Sequence, residues 1–345
     1  MSDNNICPVC RARQISAGVN CVRCGFDYAF IHCFSSQKAA EWWNEQAEQA
    51  KEKWKINKRK ELAQTDHFQV GSSYIAYLDP TERLLLLLKG SGQLEKESQV
   101  RAFSGSERNF GVLYSDGTVR VQGTETEFGQ QNTNDWRDIE SILVTQQCTY
   151  GIRRDGSVQW AGIPVSNEIE NWQNMKKLVG NDDMVVGILR DGSLKCTGKG
   201  KMESVKEKAE SWKHIKQVRI TRNAVIGLSE DGKVCFAGKE SDKRASCAKW
   251  KNILSVSADQ TYVYGLTEEG TVLTAGFAPA MLEKGRLGAK DWQQIIRLSA
   301  NNSSVGAADE NGQLKFAGSF SGDLQAVNGL WNTFVRPLAD LKNEE

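Results

Sequence analysis

Histidine is almost missing from this chain: three occur among 345 residues, His32, His67 and His214. None stands in a motif for a metal or a catalytic triad. Phosphate-cradling loops are missing as well, because SGSERNFG and GKGKMES hold glycines with no Lys-Ser/Thr step after them. No run approaches the roughly 18 apolar residues of a membrane-spanning helix, and LLLLL at 84–88, which ends in Lys89-Gly90, reads as a strand. The opening MSDNNICPVC has no apolar leader, and nine cysteines is an odd number for a disulfide framework. These absences set the expectations: no enzyme, no small-molecule substrate, no membrane, and a reducing cytoplasm.

What is present is a repeat. Its copies are FGVLYSDGTVRVQG (110–123), YGIRRDGSVQWAG (150–162), VGILRDGSLKCTG (186–198), IGLSEDGKVCFAG (226–238), YGLTEEGTVLTAG (264–276) and VGAADENGQLKFAG (305–318). The closing glycines fall 39, 36, 40, 38 and 42 residues apart. Trp136, Trp172, Trp212 and Trp250 each stand 15 residues before Gly151, Gly187, Gly227 and Gly265, and Trp292 stands 14 before Gly306. Apolar residues alternate or run in short stretches ending at Asp-Gly steps, the signature of a two-residue hairpin of type I′, so each unit reads as several short antiparallel strands. A unit of this size cannot bury its apolar face alone and must stack on its neighbours. That is the size of a propeller blade.

The two ends set the count. After Trp331 come Phe334 and Leu338, but the matching Gly would fall beyond the last residue, so the final unit is a front half. YIAYLDPTERLLLLLKG (74–90) has the back half and no Trp ahead of it. Joining the halves leaves no exposed sheet edge and, with six further units, gives seven blades. The expected fold is mainly β: a seven-bladed β-propeller closed by pairing of N- and C-terminal half-blades, preceded by a small zinc ribbon and one long α-helix. The expected divisions are 1–34 for the ribbon, 35–65 for the helical linker and 66–345 for the propeller.

The unit Trp-x-x-Ile-(x)n-Gly-Leu-x-x-Asp-Gly-x-Val-x-x-x-Gly, with Phe128-Gly129-Gln130 after one closing Gly, resembles the regulator of chromosome condensation repeat in its short bacterial form. The resemblance covers about residues 68–338 and implies a seven-bladed propeller; the family includes an exchange factor and a β-lactamase inhibitor. One departure stands out. Where family repeats often carry His before the Gly-Leu step, this chain has Arg108, Cys148, Met184, Ala224, Tyr262 and Ser303. No long inserted wedge is visible either, since the longest connection, 277–291, has 15 residues.

Ahead of the repeats, Cys7, Cys10, Cys21 and Cys24 form a CxxC, ten residues, CxxC arrangement. Four thiolates so spaced are expected to close a tetrahedron around a structural Zn²⁺. Cys33 reads as a spare thiol, and Cys148, Cys196, Cys235 and Cys247 lie in different repeats with no ligand spacing. From Ser36 to about Gln64 there is neither Gly nor Pro, and the segment reads as one helix with an apolar stripe of Ala39, Trp43, Ala47, Ala50 and Trp54. The stripe would dock on the propeller, self-associate or capture a partner helix.

Charge is unevenly placed: residues 1–65 hold 10 Lys/Arg against 7 Asp/Glu, and the remainder 34 against 36. A near-neutral propeller suits general DNA binding poorly; the basic run KEKWKINKRK at 51–60 leaves nucleic-acid contact through residues 1–65 as an alternative. The leading expectation is a protein-protein interaction scaffold that recognises a protein partner through loops on a rigid disc. Its candidate contacts are Phe128, Phe277, Met281, Leu282 and Phe320, with Trp43 and Trp54 on the helix, while Phe110, Tyr150 and Tyr264 read as core. A regulator of a partner enzyme, as inhibitor or exchange factor, is the second reading. A pair of acids meeting in the central channel stays open, because sequence does not show which loops converge.

Overall fold

The computed structural model describes residues 37–63, 66–72, 74–79, 81–88, 94–279, 285–302, 304–318 and 331. Its strands form seven sheets, the first of four strands and the others of three. The inner strands are Phe68–Val70, Val100–Gly105, Ile139–Val144, Met175–Gly180, Ile215–Ile220, Ile253–Ala258 and Ile295–Ala300. Each pairs antiparallel with a middle strand that carries the repeat glycine or its counterpart, as in Leu178 opposite Gly187. LLLLL is the third strand of the first sheet, Leu84–Leu88, as its pattern predicted.

The hairpins after the middle strands correct one expectation. Type I′ turns need positive φ at both central residues, yet here only the Gly is left-handed, for instance Gly156 at φ 82°. Gly156 N donates to Arg153 O at 2.8 Å and Arg153 N to Ser157 O at 2.9 Å, which makes a three-residue loop with glycine at its end. The Asp has another task. Asp155 Oδ1 accepts from Ser157 N at 2.8 Å and from its hydroxyl at 2.6 Å, so the side chain locks the turn from within.

The strict Trp-to-Gly spacing has a steric cause. A Cβ on Gly227 would stand 2.8 Å from Trp212 Cε3, and one on Gly265 would stand 2.8 Å from Trp250 Cε3. The indole therefore lies directly on the bare backbone of its own sheet while its other face meets the preceding one. Trp136, for example, joins Leu113, Val119 and Val121 of the second sheet to Ile139 and Ile142 of the third.

Such apolar clusters fill all seven junctions between consecutive sheets, including that of the last with the first. At that junction Trp331 packs with Phe68, Tyr77 and Leu85 of the first sheet and with Ala308 and Leu314 of the seventh. A hydrogen bond repeats there too: Val70 N donates to Ser299 Oγ at 2.9 Å, as Ala300 N donates to Ser257 Oγ at 2.8 Å one junction earlier. The first sheet differs from its expected form, since Phe68–Val70 supplies an inner strand of its own ahead of the readable repeat. That strand was illegible because it has only three residues and no Trp before it. Phe334 and Leu338 lie outside the described residues.

The long helix, Gln37–Ala63, runs where the composition placed it. Its C-terminal half docks beside the sixth and seventh sheets: Arg59 Nη1 donates to Glu268 O at 3.0 Å, and Arg297 Nη1 donates to Leu62 O at 3.4 Å. Arg59 also forms a buried, doubly hydrogen-bonded ion pair with Glu310, joined by Lys55 at 3.1 Å. Trp54 is only 2% exposed, which removes it from the candidate partner contacts. The basic run thus directs Lys55, Arg59 and Lys60 to acids of the sheets and Lys58 to Glu61 of the helix.

Candidate functional site: the central channel and an exposed rim

The seven inner strands surround a channel of about 700 Å³. What lines it follows from one repeat position. Directly after the anchoring aliphatic of the inner strand stand Arg101, Glu140, Lys176 and Lys216 in the second to fifth sheets, but Leu254 and Ile296 in the sixth and seventh. The two apolar residues are where the helix docks: those inner strands are buried at five of six residues, against two of six in the second, fourth and fifth sheets. Sequence reasoning missed this site. The signal was the non-repeating second position of a repeating strand.

Asp66, the first described residue after the helix, lies in the channel. Asp66 pairs with Lys177 of the fourth sheet and lies 3.4 Å from Arg219 of the fifth. Burial in the channel, and then the neighbouring Arg219 guanidinium, push the Lys177 ammonium down to about 7, while burial pushes Arg219 down to about 10. His67, the next residue, is lowered to about 4 by burial and then by the charge of Arg297, so it is neutral at physiological pH.

The helix end lies where the inner strands begin. Turns following those strands ring the other mouth and are bonded to one another. Gln146 Nε2 donates to Glu107 Oε2 at 3.3 Å, Gln147 N to Asp182 Oδ1 at 2.9 Å, Arg222 N to Gln260 Oε1 at 2.9 Å, and Gln260 Nε2 to Asn302 Oδ1 at 3.2 Å. Asn302 Nδ2 then donates to Glu107 Oε1 at 2.8 Å. The lining carboxylates are all engaged: Asp66 and Glu107 as described, and Glu140 with Arg190 at 3.5 Å and Arg154 at 4.0 Å. Among the described residues no two acids meet as a catalytic pair.

Of the sequence-predicted partner contacts, Phe277 is 68% exposed and Phe128 is half-buried. Met281, Leu282 and Phe320 lie outside the described residues, as do the Trp43 side chain and the cysteines Cys7, Cys10, Cys21 and Cys24. Phe110, Tyr150 and Tyr264 are buried, as expected of core. Burial pushes the Cys148, Cys196 and Cys247 thiols up to about 12, which leaves them inert at neutral pH. Leu273 and Leu287 join Phe277 as exposed apolar residues of the sixth sheet and the connection after it, and sequence reasoning missed both.

No protein-family model matches the sequence, and no curated protein matches it. Solved structures do. The CRINKLY WD40 ectodomain of the Arabidopsis thaliana receptor kinase ACR4 is 13% identical at a TM-score of 0.55, over 73% of this chain and 94% of that one. The ectodomain of the Physcomitrella patens receptor kinase CR4 is 13% identical at 0.55, over 74% and 73%. This chain is a β-propeller. Yeast RCC1 (Prp20), in its structure bound to Kap60, is 13% identical at 0.42, over 73% of this propeller chain and 69% of its own. At these identities the likeness is one of fold.

Proposed function

We propose that this propeller is a non-enzymatic protein-protein interaction scaffold of the cytoplasm, and that its contact surface includes the rim of the sixth blade. One observation carries the reading. In a disc whose repeat-position apolar residues are buried or partly buried, Phe277 is 68% exposed, against 49% for Ile163 of the third blade, and Leu273 and Leu287 are exposed on the adjoining strand and connection. A large exposed aromatic on a rigid scaffold is the kind of anchor on which binding energy concentrates. The test is site-specific photo-crosslinking from position 277 in cells, with exposed Arg120 on another blade as the control. A discrete protein adduct from 277 alone is expected, and Phe277→Asp should weaken binding of the adduct's protein at least tenfold. Equal labelling from both positions overturns the reading.

The arm before the helix belongs to the same proposal as a second contact. Cys7, Cys10, Cys21 and Cys24 would hold one structural Zn²⁺, supported by their spacing. Protein purified without chelator is expected to carry about one equivalent of zinc by mass spectrometry, and the Cys7→Ser/Cys24→Ser variant less than half of that. The segment after Trp331 would complete the ring by pairing beside the first blade, a reading supported by the place of Trp331 between the last blade and the first.

A further inference from the structure

We propose that the central channel is a binding site for a small, multiply charged oxyanion, carboxylate or phosphate, and that Asp66 is an internal stand-in for one of its charged groups. The observations are these. Lys176 and Lys177 of the fourth blade and Lys216 and Arg219 of the fifth line one side of a cavity of about 700 Å³, a volume suited to a small organic molecule. Against these four cations the channel sets one carboxylate that bonds them, Asp66, shared between Lys177 and Arg219. Glu140 is directed to Arg154 and Arg190, and Glu107 to the amides of Asn302 and Gln146. Neither Lys176 nor Lys216 has a carboxylate partner among the described residues. At contact distance the wall therefore holds more positive than negative charge, with Glu230, Asp231 and Glu268 acting on Lys216 from farther off.

A purely structural reading explains this less well. Lysines that merely solvate a surface are exposed, as Lys176 is, whereas Lys177, Lys216 and Arg219 are half-buried in the channel wall. An arginine beside a lysine at one carboxylate is also the pairing that recognises oxyanions: a planar fork and a mobile point charge. Burial and Arg219 lower the affinity of Lys177 for its proton despite the carboxylate in contact with it. A second negative group would relieve that repulsion. Asp66 stands on the stretch joining helix to first blade, so a ligand that displaces its carboxylate would also act on the stretch leading to the arm.

Titration calorimetry of the full chain at constant ionic strength tests this, with citrate and inorganic pyrophosphate as probes and sodium chloride as the screening control. Wild type is expected to bind weakly, because Asp66 competes. Asp66→Asn should bind at least tenfold more tightly, and Lys177→Met in that background should lose the gain. The double variant Lys176→Met/Lys216→Met keeps the Asp66 pair intact, so its fold is not at stake, and should weaken binding at least fivefold relative to wild type. Citrate alone marks a carboxylate site; citrate and pyrophosphate alike mark a general oxyanion site. No heat from either probe in any variant overturns the proposal, as does equal binding by wild type and Asp66→Asn, or a chloride response matching citrate.

Discussion

Trp331→Ala is expected to lower the stability of the whole propeller by about 3–5 kcal/mol, the cost of deleting a large aromatic from a close-packed site. Trp331 is 4% exposed, with its ring centroid 5.8 Å from that of Phe68 in an edge contact and 5.3 Å from that of Tyr77. What matters is where the loss appears. In a stacked array each unit is stabilised by its neighbours, so a side chain near the C-terminus would ordinarily protect only the last unit. Here the same indole touches Phe68 at the other end of the sheet sequence and Leu314 of the last sheet. The predicted result is one cooperative transition shifted down by roughly 10 °C, with Trp172→Ala, at an internal junction, shifted by a similar amount. An unchanged main transition with early loss of the last unit would falsify the view that the ends are coupled.

The fold was legible because its determinants are local and repeated. An indole that must lie on a bare glycine fixes the 15-residue interval, and an Asp that bonds the residue two places on fixes the turn. The indole contact recurs in the third to sixth sheets and the Asp bond in the second to fourth, so the period, the strand content and the seven sheets could be read from one sequence. The turn type could not, since Asp-Gly fits both a two-residue and a three-residue loop, and the choice rests on whether the Asp itself adopts positive φ. The inner strand of the first sheet also escaped. The half-units at the two ends implied that Trp331, more than 250 residues away in sequence, belongs beside the first sheet, but they did not show the three-residue strand that precedes Tyr74.

The site was legible in a different measure. Phe277 stood out because it follows a closing glycine, where the repeat stops dictating residue type, and it is exposed. Trp54 misled for a physical reason: an aromatic on a basic helix looks the same in sequence whether the helix is free or docked. Its docking was encoded elsewhere, in Leu254 and Ile296, which replace the charged residues of other blades. The channel cations were hidden in the same column, since Lys176 and Lys216 are separated by a full repeat and line one cavity only when the blades close around an axis.

Glu310→Ala is expected to release the docked half of the helix at a cost of about 3–5 kcal/mol, the range for removing one partner of a buried ion pair. Arg59 and Glu310 have side chains only 4% and 8% exposed, and Glu310 accepts both the Nε and an Nη donor of the guanidinium. Without the carboxylate, Arg59 keeps the bond from Nη1 to Glu268 O and the exposed Glu52 at 3.5 Å but loses its buried partner. The local cost exceeds what a short docked segment gains from burial, so the helix should leave before the ring melts. Hydrogen exchange over residues 51–63 is predicted to accelerate strongly while the strands Ile253–Ala258 and Ile295–Ala300 keep most of their protection. Arg59→Met/Glu310→Met supplies the counter-test, because an apolar pair of similar volume removes both desolvated charges together and should restore much of the protection. If the single and double variants exchange alike, packing around Trp54 rather than the ion pair holds the helix. If docking does rest on the pair, its loss also frees the stretch that carries Asp66, and the basic wall of the channel loses its internal carboxylate with it.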